Sequence, residues 1–172
     1  ITNKNKNITL FSGYDCDSLA FEAVSNFMSY LTKKMQKYEN IELEIRTKST
    51  YSKIFSKNII KNVIVAYSFT PERFSNKYEK GVPSVDKRLR VIKRLSNLGW
   101  KLGFRFDPVI IYDSWQEDYK ELFIKIFQNI DINNVHSITF GKLRFPKTVY
   151  KKLIKENMSE SFFFNLEKKK NS

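Results

Sequence analysis

Hydrophobic and polar positions alternate along this chain in two rhythms, and the two rhythms take turns. Ile8 to Phe11 is a short apolar run that reads as a buried strand, ending in a small polar bend from Ser12 to Cys16. A helix then opens at Asp17 or Ser18. Its apolar residues Ala20, Val24, Phe27, Leu31, Met35 and Tyr38 recur at helical spacing, which predicts about five turns. Ile41 to Lys48 alternates strictly: Ile41, Leu43, Ile45 and Thr47 face one way, Glu42, Glu44, Arg46 and Lys48 the other. Such a strand has one packed face and one that is wet or lines a polar cavity. After a short helical turn around Tyr51 to Phe55, the near-continuous apolar run Val63 to Ser68 reads as a strand buried on both sides.

The second half repeats the scheme. Phe74 to Val82 is charged and reads as irregular. Ser84 then caps a helix whose inner face is Val85, Leu89, Ile92 and Leu95, and Gly99 provides a left-handed stop. Lys101 to Asp107 is a strand with Leu102, Phe104 and Phe106 on one side and Gly103, Arg105 and Asp107 on the other. Ser114 and Glu117 have the spacing of a capping box for a helix that buries Tyr119, Leu122, Ile126, Phe127 and Ile130. A last strand spans Ser137 to Gly141, and Pro146 opens a helix through Val149, Leu153 and Ile154.

The order β-α-β-(α)-β-α-β-α-β-α implies a parallel sheet in the α/β class with right-handed crossovers. Five strands are too few for a closed eight-stranded barrel, which leaves an open doubly wound sheet or part of a barrel. No GxGxxG or GxxxxGK[ST] follows a strand, so neither a dinucleotide fingerprint nor a P-loop is present. The organisation expected is a frayed lead-in at 1–7, one domain over 8–157 and a basic tail at 158–172.

Parallel strands bring their carboxyl ends to one rim, where α/β folds place ligands. The polar residues at those ends are Asp15 and Cys16, Lys48, Ser68 and Thr70, Asp107, then Lys142 and Arg144. His136 is the only histidine, which argues against a histidine-based triad or zinc site and suits a surface position. Cys16 is the only cysteine, which excludes an internal disulfide and makes the cytosol the expected compartment. No run is long and apolar enough to span a bilayer, and the beginning of the chain has no signal-peptide pattern.

Net charge is +13, from 31 Lys and Arg against 18 Asp and Glu. Such an excess suits a polyanionic partner such as nucleic acid, and it also suits the Lys, Asn and Ile bias of an AT-rich genome. Basic residues cluster in two places: Lys87, Arg88, Arg90, Lys93 and Arg94 on one helix, and the tail from Lys142 to Lys170.

Several segments, in order and in register, match a known family. DSLAFE (Asp17 to Glu22), ELEIRTKS (Glu42 to Ser49), VIVAYSFTPE (Val63 to Glu72), GVPSVDKRL (Gly81 to Leu89), LGFRFDPVIIYDSWQEDYKELF (Leu102 to Phe123) and ITFGKLRFP (Ile138 to Pro146) resemble the spore photoproduct lyase family of radical SAM proteins. The resemblance implies strands two to six of a partial (β/α)6 barrel. It implies S-adenosylmethionine as cofactor, cleaved by a [4Fe-4S] cluster so that a 5′-deoxyadenosyl radical abstracts hydrogen, and in the true lyases a thymine-dimer lesion in DNA as substrate. By position, Lys48 resembles the residue that pairs with the cofactor carboxylate. Ser68 and Cys16 stand where the family has hydroxyl groups near the cofactor, and Asp107 lies at the fifth-strand position beside it. The basic residues Arg88, Arg90, Lys93, Arg94 and Arg144 are the expected nucleic-acid contacts.

Two departures qualify the match. The family's CxxxCxxC is absent, and a lone cysteine cannot hold a cluster normally bound by three or four thiolates. The chain therefore reads either as a fragment whose first βα unit lies upstream or as a degenerate copy, with a cluster expected only in a full-length form. Tyr14 stands where the true lyases place a hydrogen-donating cysteine, which points to the wider group of lyase-like proteins. Two alternatives remain: a non-catalytic basic nucleic-acid-binding module, and a cluster-free hydrolase using Asp15, Asp17 or Glu44 as acid and base.

Overall fold

The computed structural model describes residues 6–13 and 16–143, with Thr148, Lys152 and Lys155 singly. The elements are β1 (Ile8–Ser12), α1 (Glu22–Ser25), α2 (Phe27–Met35), β2 (Ile41–Thr47), β3 (Val63–Ser68), α3 (Glu72–Tyr78), α4 (Val85–Leu98), β4 (Lys101–Val109), α5 (Trp115–Phe127), a 3-10 turn (Ile132–Asn134) and β5 (Val135–Lys142). The strands pair in the order β1-β2-β3-β4-β5, every pair parallel.

That order decides between the two architectures left open by the sequence. A doubly wound sheet reverses its strand order at a switch point, with helices on both faces. Here each strand lies beside the next one in sequence, and the core is on one side. Leu43, Ile45, Val63, Val65, Tyr67, Leu102, Phe104 and Phe106 cluster with Val85, Leu89, Ile92 and Leu95 of α4 and with Tyr119, Leu122 and Ile126 of α5. The other face carries Glu42, Glu44 and Arg46 on β2, Ile64, Ala66 and Ser68 on β3, and Lys101, Gly103 and Arg105 on β4, aligned by the register. Helices outside and polar side chains inside make this part of a barrel wall. Trp100 fixes the long connection after β2: it packs edge-on against Phe55, ring centroids 5.2 Å apart, and its Nε1 donates to the Ser56 carbonyl at 3.0 Å.

Several sequence expectations change in the structure. The single five-turn helix is broken at Asn26, whose φ of 52° is left-handed. Val24, in the short α1 before the break, is 85% exposed; beyond it the phase of the turns shifts, so that Phe27 is 57% exposed while Met28 and Met35 are buried. Glu22 bridges the break: its buried carboxylate accepts from the N–H groups of Met28 and Ser29, both at 2.8 Å, satisfying orphan donors of α2. β1 is not a buried strand. Among the described residues it lies at the sheet edge, with Leu10 43% and Phe11 61% exposed, because only β2 flanks it.

The stretch read as irregular, Phe74 to Val82, overlaps α3 (Glu72–Tyr78), for which Pro71 is the N-cap. β4 continues through Pro108 to Val109, and the lack of a proline N–H is tolerated where the ladder to β5 is itself irregular, between Phe106 and Val109. The capping box does not form. Ser114 has φ 67°, and its hydroxyl accepts from Arg73 at 3.3 Å instead. The helix expected after Pro146 and the tail lie outside the described residues, the three single positions apart.

Candidate functional site

The strand tips gather at one end of the wall, and three side-chain hubs fix them there. The first is Asp17. Its carboxylate accepts from Leu19 N–H at 2.8 Å, from Thr47 Oγ1 at 2.8 Å and from Lys48 N–H at 2.5 Å, stapling the loop after β1 to the tip of β2. Gly13 makes this approach possible: φ is 78°, and a Cβ there would lie 2.6 Å from the Arg46 carbonyl oxygen.

The second hub is Glu79, just beyond α3. Oε1 accepts from Lys48 Nζ at 2.5 Å and Thr70 Oγ1 at 2.9 Å. Oε2 accepts from Ser75 Oγ at 2.7 Å and Arg88 Nη2 at 3.3 Å. Burial pushes the Glu79 carboxyl up, but hydrogen bonds from Lys48 and Ser75 and the charges of Lys48 and Arg88 outweigh it and hold the group below its ordinary range. Arg88 is fully buried. Its Nη1 donates to the Ser68 carbonyl at 2.8 Å, and its guanidinium lies 5.1 Å from the Phe69 ring centroid. Burial lowers its pKa, opposed by the charge of Glu79.

The third hub lies deeper on the inner face. Arg105 reaches from β4 across β3 to Glu44 on β2, donating from Nε to Oε1 at 2.9 Å and from Nη2 to Oε2, with further bonds to the Ser137 carbonyl and hydroxyl. Arg46 Nη2 also lies 3.1 Å from Glu44. The crossing needs small residues in between: a Cβ on Gly103 would come 2.9 Å from Arg105 Nη2 and 3.1 Å from Ala66 Cβ. Burial raises the Glu44 pKa, but hydrogen bonds and charge from Arg105, then Arg46, bring it below the ordinary value. Nearer the amino ends, Glu42 lies 3.3 Å from Lys101 and 3.7 Å from His136, which is exposed.

The register shows which expected residues come together. Thr47 pairs with Tyr67 and Ser68 with Arg105, so Lys48, Ser68 and Asp107 share one end of the wall. Asp107 is exposed, and its carboxylate lies against Gly141, where no Cβ would fit. Cys16 is an exposed free thiol in the loop after β1. Tyr14, Asp15 and Arg144 lie outside the described residues.

The basic helix requires a correction. Arg90, Lys93 and Arg94 of α4 are exposed, Arg94 donating to the Ser52 carbonyl at 2.8 Å. Arg88 is not on that face and cannot reach a phosphate, because its guanidinium is sealed between α4, Phe69 and Glu79. Glu44 and Asp17, the hydrolase candidates, are held in these bonding networks. The sequence reading missed Glu79 altogether, although Pro71 followed by Glu72 is a helix-start signal that would have placed it at a helix end. Among the described residues no group of three or more His, Cys, Asp or Glu could hold a metal ion, and no helix is long and apolar enough to cross a membrane.

A one-sided parallel wall with helices outside and polar tips at one end defines a β/α half-barrel protein with a candidate ligand rim. The sequence model of the spore photoproduct lyase family matches residues 1–172, and the chain belongs to that family. It is 30% identical over 93 residues to the spore photoproduct lyase of Bacillus subtilis (strain 168), covering 53% of this chain and 27% of that protein. It is 22% identical over 200 aligned positions to that of Clostridium acetobutylicum, covering 96% of this chain and 60% of that one. The fold matches a solved spore photoproduct lyase mutant with bound AdoMet and dinucleoside spore photoproduct at TM-score 0.75 and 19% identity, over 88% of this chain and 45% of that. A second mutant, with dinucleoside spore photoproduct, matches at TM-score 0.76 and 18% identity, over 88% and 46%. The chain thus spans less than half the length of these solved chains.

Proposed function

We propose that this chain forms the cofactor-facing strand tips of a radical SAM enzyme of the spore photoproduct lyase type acting on DNA, with the iron–sulfur cluster held by residues outside these 172. The observation that carries the reading is the convergence of Lys48, Ser68 and Asp107 at one end of a parallel half-barrel. Family membership and the AdoMet and dinucleoside photoproduct in the similar solved structures support it.

The residues present do not fit a [4Fe-4S] cluster: Cys16 is the only thiol in the sequence, against the three or four such a cluster needs. They do fit S-adenosylmethionine, which supplies a reactive sulfonium on an adenosyl amino acid. Glu79 takes one N–H of the Lys48 ammonium, leaving two to donate to a ligand carboxylate, and the side chain is 33% exposed. Ser68 offers a hydroxyl for the amino-acid or ribose groups, and the Asp107 carboxylate can accept from them.

The test is calorimetric titration of S-adenosylhomocysteine into the chain. Saturable one-site binding is expected. Lys48→Met should weaken it about ten- to a hundredfold, the loss of one charge-assisted hydrogen bond at about 1.5–3 kcal/mol. Equal affinity in the variant, or no binding by the wild type, would remove the cofactor site.

For DNA, the exposed Arg90 and Lys93 are the candidate phosphate contacts on α4. The log–log salt dependence of duplex binding should become shallower by about 2 in Arg90→Ala/Lys93→Ala, about 0.9 for each phosphate no longer neutralised. An unchanged slope would exclude α4 from the interface.

A further inference from the structure

We propose that Glu79, anchored from below by the buried Arg88, is the positioning residue that sets the Lys48 ammonium over the rim and fixes it relative to Ser68. The inference deepens the cofactor reading above and rests on it. It begins from an acceptor count. A carboxylate has about four lone-pair sites, and Glu79 uses them on Lys48, Thr70, Ser75 and Arg88. With its side chain only 10% exposed, it has no acceptor site left for a ligand. Its role is therefore exercised through Lys48.

Lys48 follows the last residue of β2 and carries a long, flexible stem. A free lysine there would lose considerable rotamer entropy on gripping a ligand. Pairing with Glu79 removes that freedom in advance. Glu79 is itself tied to the tip of β3, because Arg88 holds its Oε2 with one nitrogen and the Ser68 carbonyl with another. One guanidinium thus links the two tips that carry Lys48 and Ser68. It accepts a penalty to do so, since Arg88 Nε is buried without a hydrogen-bond partner among the described residues.

Two probes separate positioning from general support of the fold. S-adenosylhomocysteine has the amino-acid carboxylate; 5′-methylthioadenosine keeps the adenosine and thioether but lacks it. Glu79→Gln should weaken the first about tenfold and leave the second unchanged. Added to Lys48→Met, it should have no further effect on S-adenosylhomocysteine. Thr70→Val removes one bond to Glu79 without touching Lys48 and should produce a smaller loss with the same ligand selectivity, which covers the case of a poorly folding Glu79→Gln. Equal weakening of both ligands, or a full additive loss in the Lys48→Met background, would overturn the positioning role and leave the cofactor site standing. Failure of the wild type to bind S-adenosylhomocysteine would remove the cofactor reading and this inference with it.

Discussion

Replacing Glu44 by alanine is expected to destabilise the fold by about 3–5 kcal/mol, read as a lower urea midpoint at an unchanged m-value. Side chains of Glu44 and Arg105 are each 3% exposed, so the truncation leaves a guanidinium buried opposite nothing. Part of its bonding survives through the Ser137 carbonyl and hydroxyl, and Arg46 at 24% exposure can turn to water. Removing both charges should be much milder: Glu44→Leu/Arg105→Met exchanges a desolvated ion pair for apolar contact and should regain most of the loss. A double variant as unstable as the single would show that the pair itself stabilises the wall. pH gives an independent reading. Glu44 and Glu79 both have folded pKa values below their ordinary 4.5. As pH falls through about 4.5 the unfolded chain takes up these protons first, so stability declines and is lost as the folded values are passed; above that window the contribution is complete. As pH falls below about 4.5 the wild type should lose stability more steeply than Glu44→Gln. Parallel slopes would count against the assignment.

Much of this was legible because the sheet imposes a period of two. The alternation of β2 put Glu42, Glu44 and Arg46 on a face that was wet or lined a polar cavity, and Glu44 proved to be at the centre of a buried ion-pair network on that face. The strand tips followed from parallel topology alone. What failed was any inference that depended on how far a side chain reaches. Arg88 groups by charge with the basic residues of its helix, although it lies three residues after Val85 and four before Ile92, on the inner stripe by spacing. Its charge masked its position. Glu79 was missed because the segment around it was read as irregular, and because Lys48 and Arg88, the two cations it joins, come from β2's tip and α4, far apart in sequence. The break at Asn26 had no glycine or proline to announce it, and the residues beyond kept a helical rhythm that pointed the wrong faces inward.

Arg88→Met should therefore behave unlike substitution of any other basic residue on α4. Methionine can fill the space against Phe69, but it abandons the Ser68 carbonyl, the Ser75 hydroxyl and one oxygen of Glu79. Breaking one side of such a buried pair costs about 3–5 kcal/mol, which for a chain of this size corresponds to a fall in Tm of roughly 10 °C. Arg90→Met on the exposed face should stay within about 0.5 kcal/mol of wild type. The two variants should also exchange order when DNA is the readout, since Arg90 can reach a phosphate and Arg88 cannot. Adding Glu79→Gln to Arg88→Met should restore part of the stability, because the carboxylate charge left facing the vacated site is then neutral. If Arg88→Met is no less stable than Arg90→Met, the guanidinium does not tie α4 to the strand tips, and the order of the rim must come from packing alone.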